Sequence, residues 1–225
     1  MPQTATVEVL RITLEIALGA TALVSLPAVG LGYLLARRRF PGKSVVEALA
    51  ALPLVLPPTA IGYLLLALFA RGGPLGSDRL GFDPGVLFTA RGAVLASAVV
   101  AFPLAARTAR VAFEGVDPRL VHMGRSVGLT GAQVFRRITL PLARRGLLAA
   151  LLLAFSRALG EFGATVIVAG NIPGRTQTIA LAIFSDIQLG ATGHALGLVG
   201  LCTLLAFATV WSVERLLERG PGEQA

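Results

Sequence analysis

Few residues of this 225-residue chain could do chemistry, and their spacing limits what that chemistry is. The two histidines, His122 and His194, stand far apart with no carboxylate pattern to complete a metal site. There is no Gly-Lys-Ser/Thr phosphate loop, so ATP binding through a Walker motif is not expected. A nucleophile–base pair would need Ser156 or Ser97 with His194, and nothing in the sequence joins them. No enzymatic activity, cofactor or metal is therefore expected. That leaves Arg157 and Glu161, four residues apart inside an apolar stretch. A charge at the centre of a bilayer costs about 2.5–3.5 kcal/mol on insertion scales, so the two are expected to pair on one helix face. The pair reads either as a polar element of a translocation path or as a buried ion pair fixing helix packing near a dimer axis. Gly163, Gly160, Ser156 and Thr165 around it would allow a second helix or a second protomer to approach closely.

The other polar concentration is the segment 117–141, DPRLVHMGRSVGLTGAQVFRRITLP, between two long apolar runs. Asp117 is a good N-cap and Pro118 a good first helical residue. Two turns can follow up to Val127, Gly128 then breaks the helix, and Thr130 can cap a second helix through Arg137. The pattern is a helix–Gly–helix elbow or an ordinary basic loop.

The rest of the chain supplies the setting for these residues. Hydrophobic residues make up 55% and charged residues 14%, with mean hydropathy +0.77; a soluble domain carries roughly 25% charged residues. Apolar runs of about 20 residues mark an integral membrane protein, and their continuity favours helices over the alternating strands of a barrel. The expected fold class is an all-α membrane protein, a single transmembrane domain over 1–225 built as a polytopic helical bundle. Five spans are expected. The first covers 9–36, and the second covers 54–70 after a short approach helix at 44–52. The third covers 86–106, bent at Pro103, the fourth runs from 142 or 147 to 169, and the last covers 195–213. The run 178–189 is too short to cross, which suggests an outer-side or re-entrant helix. The first ten residues lack a basic n-region, so the first run is expected to stay as a span rather than be cleaved.

Charge sets the orientation. The net charge of +8 suits arginines flanking spans on the cytoplasmic side better than nucleic-acid binding, given only 6% aromatics for base stacking. With the N-terminus outside, the inner segments 37–43, 107–145 and 215–219 hold four, eight and two Lys or Arg, against five on the outer side. The N-terminus is thus expected outside, and the segment 117–141 and the C-terminus in the cytoplasm. A self-contained channel or secondary carrier would be marked by internal inverted repeats, and none is evident. The single Cys202 excludes an intramolecular disulfide.

Gly128, followed after nine residues by Ile138-x-Leu140-Pro141, resembles the coupling motif of ABC importer permeases, although His122-Met123-Gly124 stand where Glu-Ala-Ala is usual. AFSRALGEFGAT (154–165), AGNIPGRTQT (169–178) and LPLVLPPTAIG (52–62) resemble the molybdate-type oxyanion permeases within that family. The resemblance implies a type I importer architecture in which the elbow is a coupling helix held in a groove of an ATPase subunit. The coupling residues would be Asp117, Leu120, His122, Met123, Gly124, Gly128, Leu129, Phe135 and Pro141. It implies two ATP-binding-cassette ATPase subunits, a periplasmic or lipid-anchored oxyanion-binding protein and a second copy of the chain as partners. The cargo would be molybdate, with sulfate or tungstate as the alternative. Arg157, Glu161, Gly163 and Thr165 would lie by the translocation path or in dimer packing. Asn171, Arg175 and Gln177 would meet the binding protein.

Overall fold

The computed structural model describes residues 2–218; Arg219, counted above with the inner charges, lies outside the described residues. Helix α1 (Pro2–Arg37) passes through Pro27 without ending. It is followed by α2 (Lys43–Val55) and α3 (Pro58–Phe69), the short α4 (Ser77–Leu80) and α5 (Ala90–Glu114). The elbow comprises α6 (Pro118–Ser126), α7 (Gly131–Val134) and a π-helical turn (Phe135–Thr139). Beyond it lie α8 (Leu140–Leu159), α9 (Gly163–Ala169), α10 (Ile179–Gln188) and α11 (Thr192–Glu218). Among the described residues, four stretches are long and apolar enough to cross a membrane: Thr6–Arg37, Ala90–Glu114, Gly131–Leu159 and Thr192–Leu217. Counting α2 and α3 as one bent span makes five.

The centre of the bundle is built from alanine. Ala17, Ala20 and Ala28 of α1 meet Ala98, Ala101 and Ala105 of α5 and Ala154 and Ala158 of α8 in one buried cluster. In lipid the tails are as apolar as the side chains, so helices associate through close packing, and small residues bring the backbones together. By contrast α11 has only 11% of its most apolar window buried, against 61% for α5. Its apolar flank faces outward.

Four sequence expectations change. The second span is not a straight rod over 54–70: α2 continues through Pro53, the chain breaks at Leu56 and Pro57, and α3 leaves at 108°. Two consecutive prolines at 57 and 58 remove two N–H donors, a stronger interruption than Pro53 alone. The third span starts later, at the cap Thr89, and extends past Ala106 to Glu114. Arg110 supports that extension by bonding Glu114 on its own helix (2.7 Å) and Glu47 on α2 (2.8 Å). The fourth span starts earlier, because the elbow's second helix runs without a stop through the π turn into α8. It also ends earlier, at Leu159. The last helix begins at Thr192 rather than Ala195.

Candidate functional site: the elbow and the membrane break

The elbow forms as its residues dictate. The Asp117 side chain accepts from the Arg119 N–H at 2.8 Å. Gly128 ends the turn at φ +85°, a left-handed conformation that L-residues rarely adopt. Thr130 and Gln133 close a reciprocal capping box on α7. The second helix does not stop at Arg137 as its sequence suggests. Pro141 has no N–H and its ring would crowd the carbonyl four residues back. The turn before it widens instead, the Leu140 N–H bonding to the Phe135 carbonyl five residues back.

Three exposed apolar side chains, Leu120 (41%), Met123 (64%) and Val127 (78%), recur at i, i+3 and i+7 and make a ridge on α6. His122, Arg119 and Arg125 are exposed beside it. Two expected partner contacts face the other way. Gly124 is buried, and a Cβ there would come within 2.5 Å of Ile138 Cδ1, so it lets α6 lie on the π turn. Phe135 points into the bundle, its ring 4.9 Å from Tyr33 and 6.3 Å from Phe113. Leu129 is half-buried, and its N–H bonds to the Gly124 carbonyl at 3.1 Å. Arg37, at the end of α1, donates to the carbonyls of Phe113 and Val116, both at 2.9 Å. Arg37 thereby ties the end of α1 to the end of α5, and Phe135 anchors the elbow between Tyr33 of α1 and Phe113 of α5.

Arg157 and Glu161 do pair, Nη1 to Oε2 at 2.9 Å, but not along one helix. The helix ends at Leu159 with Gly160 as its cap, and Glu161 sits in the break. Its other oxygen, Oε1, accepts the Ala164 N–H at 2.9 Å, capping α9. Two of the small residues here make close contacts within the chain, while a Cβ on Gly160 would meet nothing within 4 Å. A Cβ on Gly163 would stand 3.0 Å from Pro58 Cβ, and one on Gly62 would stand 2.9 Å from the Ala164 carbonyl oxygen. Thr165 is fully buried and its hydroxyl has no partner among the described residues; the same is true of the Ser97 hydroxyl on α5.

The loop after α9 closes on itself. The Ile172 carbonyl accepts from the N–H groups of Arg175, Thr176 and Gln177, and the Thr176 hydroxyl donates to the Gly170 carbonyl at 3.2 Å. Asn171 donates through Nδ2 to Ser185 Oγ of α10 at 2.6 Å. Of the three residues expected to meet a binding protein, Arg175 is exposed, while Asn171 and Gln177 are half-buried. His194 has a carboxylate that its sequence surroundings did not suggest: Nδ1 lies 2.6 Å from Asp186 Oδ2, and Nε2 lies 3.2 Å from Thr6 Oγ1. Ser156 donates to Thr209 of α11 at 2.6 Å instead of meeting His194.

The backbone has the fold of two solved transporters. One is an amino acid ABC transporter with histidines: TM-score 0.62, 18% identity, covering 96% of this chain and 92% of that one. The other is the inward-facing MetNI methionine ABC transporter: TM-score 0.63, 20% identity, 95% and 94% covered. The family model of the binding-protein-dependent transport system inner membrane component matches residues 28–219. The chain belongs to that family. Among its relatives, the molybdenum transport system permease protein ModB of Haemophilus influenzae is 46% identical over 186 residues, 80% of each chain. That of Escherichia coli K12 is 45% identical over 185 residues, 81% of this chain and 80% of that one.

As an inner-membrane component of such a system, the chain carries features that its motif residues did not include. Val127 completes the exposed ridge, and its i+7 spacing from Leu120 was the available signal. Tyr33 holds the elbow from α1 through Phe135, and Arg37 holds the end of α5 that leads into it. Their i, i+4 spacing put them on one face, but nothing in the sequence said that this face met Phe113 and Phe135.

Proposed function

We propose that the chain is the permease subunit of an ABC importer that carries molybdate across the cytoplasmic membrane. The observation that carries the cargo reading is the 46% identity to a molybdenum permease over 80% of both chains. Sulfate permeases are also similar, at 31% for that of Synechocystis and 36% for that of Salmonella typhimurium, the latter over a shorter stretch. The N-terminus lies outside and the elbow inside, a topology that the bias of lysine and arginine supports. Two copies place a path at their shared two-fold axis, because five spans are too few to enclose a gated one. Two ATPase subunits each take one elbow, with Leu120, Met123 and Val127 in the groove.

ATP binding draws the two ATPase subunits together and carries the elbows with them. Tyr33, Phe113, Phe135 and Arg37 pass that movement to α1 and α5, and the spans swing from inward-open to outward-open. A loaded binding protein on the outer face then releases its anion into the path. The two states are biased by ligands on opposite sides of the membrane.

The test is reconstitution of the complex with its ATPase and binding protein in proteoliposomes, measuring ATP-driven uptake of molybdate, tungstate and sulfate. Sulfate uptake at the rate expected for molybdate would reassign the cargo. Uptake without the ATPase or the binding protein would point to a self-contained carrier. Deleting residues 121–124 should abolish ATPase association or uncouple hydrolysis from uptake.

A further inference from the structure

We infer that Arg157, held in place by Glu161, is the group that hands the oxyanion through the middle of the membrane layer; this rests on the oxyanion-import reading above. Twelve residues separate Arg145 from Arg157 along α8, about 18 Å at roughly 1.5 Å per residue. That is past the midpoint of a hydrocarbon layer about 30 Å thick. A cation at such depth is costly and must face protein or a water-filled cavity.

The two partners are not equally enclosed. The Glu161 side chain is 2% exposed and the Arg157 side chain 32%. The carboxylate is sunk behind the guanidinium, whose outer side is left open. Glu161 is fixed at both oxygens, by Arg157 Nη1 and by the Ala164 N–H. Arg157 contributes one nitrogen to it, and its remaining N–H donors have no partner among the described residues. A planar fork of donors is presented on an open flank, and guanidinium donors of this kind suit a tetrahedral oxyanion.

The neutralising carboxylate also explains how such a group could work in a path. A lone arginine in a low dielectric would hold a dianion too firmly to release it, and passage requires a site favourable enough to enter yet weak enough to leave. With Glu161 behind it, Arg157 keeps its directional donors while the pair carries no net charge. Glu161 is then a positioning residue and Arg157 the contact. The break at Gly160 sets the geometry, because Glu161 reaches the guanidinium from the turn rather than from the same helix.

The experiment compares Arg157→Gln/Glu161→Gln and Arg157→Lys with the unaltered chain in the complete reconstituted complex. The paired glutamines remove both charges together, so no buried carboxylate is left unpaired. The readouts are complex assembly, ATP hydrolysis stimulated by molybdate-loaded binding protein, and molybdate uptake per ATP. Both variants should assemble and hydrolyse ATP. Uptake per ATP should fall about tenfold or more in the double variant, as expected for losing a charge-assisted hydrogen bond, and less in Arg157→Lys. Unchanged uptake per ATP in either assembled variant overturns the inference. Loss of assembly or of hydrolysis in both also overturns it, since the pair would then be a structural staple. If the unaltered complex hydrolyses ATP but takes up no oxyanion, the import reading fails and the inference falls with it.

Discussion

Gly124 of α6 lies so close to Ile138 of the π turn that any Cβ would stand 2.5 Å from Ile138 Cδ1. This contact sets how α6 sits against the bundle, and so how the exposed ridge is presented. Gly124→Val should push α6 off the turn at a cost of about 1–3 kcal/mol, the usual range for overpacking. The expected outcome is a lower thermal midpoint and weaker co-purification of the ATPase.

The ridge itself can be altered without touching the core. Leu120, Met123 and Val127 are exposed, so Met123→Asp with Val127→Asp should leave the stability of the isolated permease within about 1 kcal/mol of wild type. ATPase association, measured by titration in detergent, should weaken at least tenfold. Unchanged association would rule out α6 as the docking helix.

Gly128 holds φ +85°, and a β-branched residue there carries the left-handed penalty of about 1–2 kcal/mol. Gly128→Val should release that strain by shifting α6 relative to α7. ATP hydrolysis is expected to persist while uptake per ATP falls.

Pro141→Ala restores an N–H at the position that forces the turn before it to widen. The π turn should then tighten toward a regular α-helix, rotating Phe135 away from Tyr33 and Phe113, now 4.9 and 6.3 Å from it. A structure of the variant should show the ring displaced, and coupling should weaken although helix propensity improves.

Thr13 is 2% exposed, and its hydroxyl accepts the Ile179 N–H at 2.9 Å while donating to the Val9 carbonyl at 2.7 Å. It is a polar link between α1 and α10. Thr13→Val leaves the Ile179 N–H buried without that partner and should cost about 1–3 kcal/mol. Hydrogen exchange should show α10 opening more readily than α1.

Much of this architecture is legible residue by residue. Apolar run length marks the membrane helices because lipid offers backbone groups no other partner. Asp117, Gly128 and Thr130 set the elbow's bends because capping and left-handed turns depend only on near neighbours. The spacing from Gly128 to Pro141 carried the family resemblance before any coordinates. Arg157 and Glu161 were legible as a pair, since four residues bring side chains into reach whether or not the helix continues.

What needed the tertiary structure depends on residues distant in sequence. Pro53 and the Pro57–Pro58 step look alike as interruptions, yet only the latter turns the chain by 108°. The inward aim of Phe135 follows from Tyr33, 102 positions earlier, and Phe113 closing around it. The small residues around Glu161 announced close approach, but that Pro58 and Thr59 of the same chain were the neighbours depended on where α3 emerged from its bend. The unequal exposure of Arg157 and Glu161 was hidden for the same reason. Sequence spacing fixes which groups can meet along a helix, whereas burial is set by which other helices arrive.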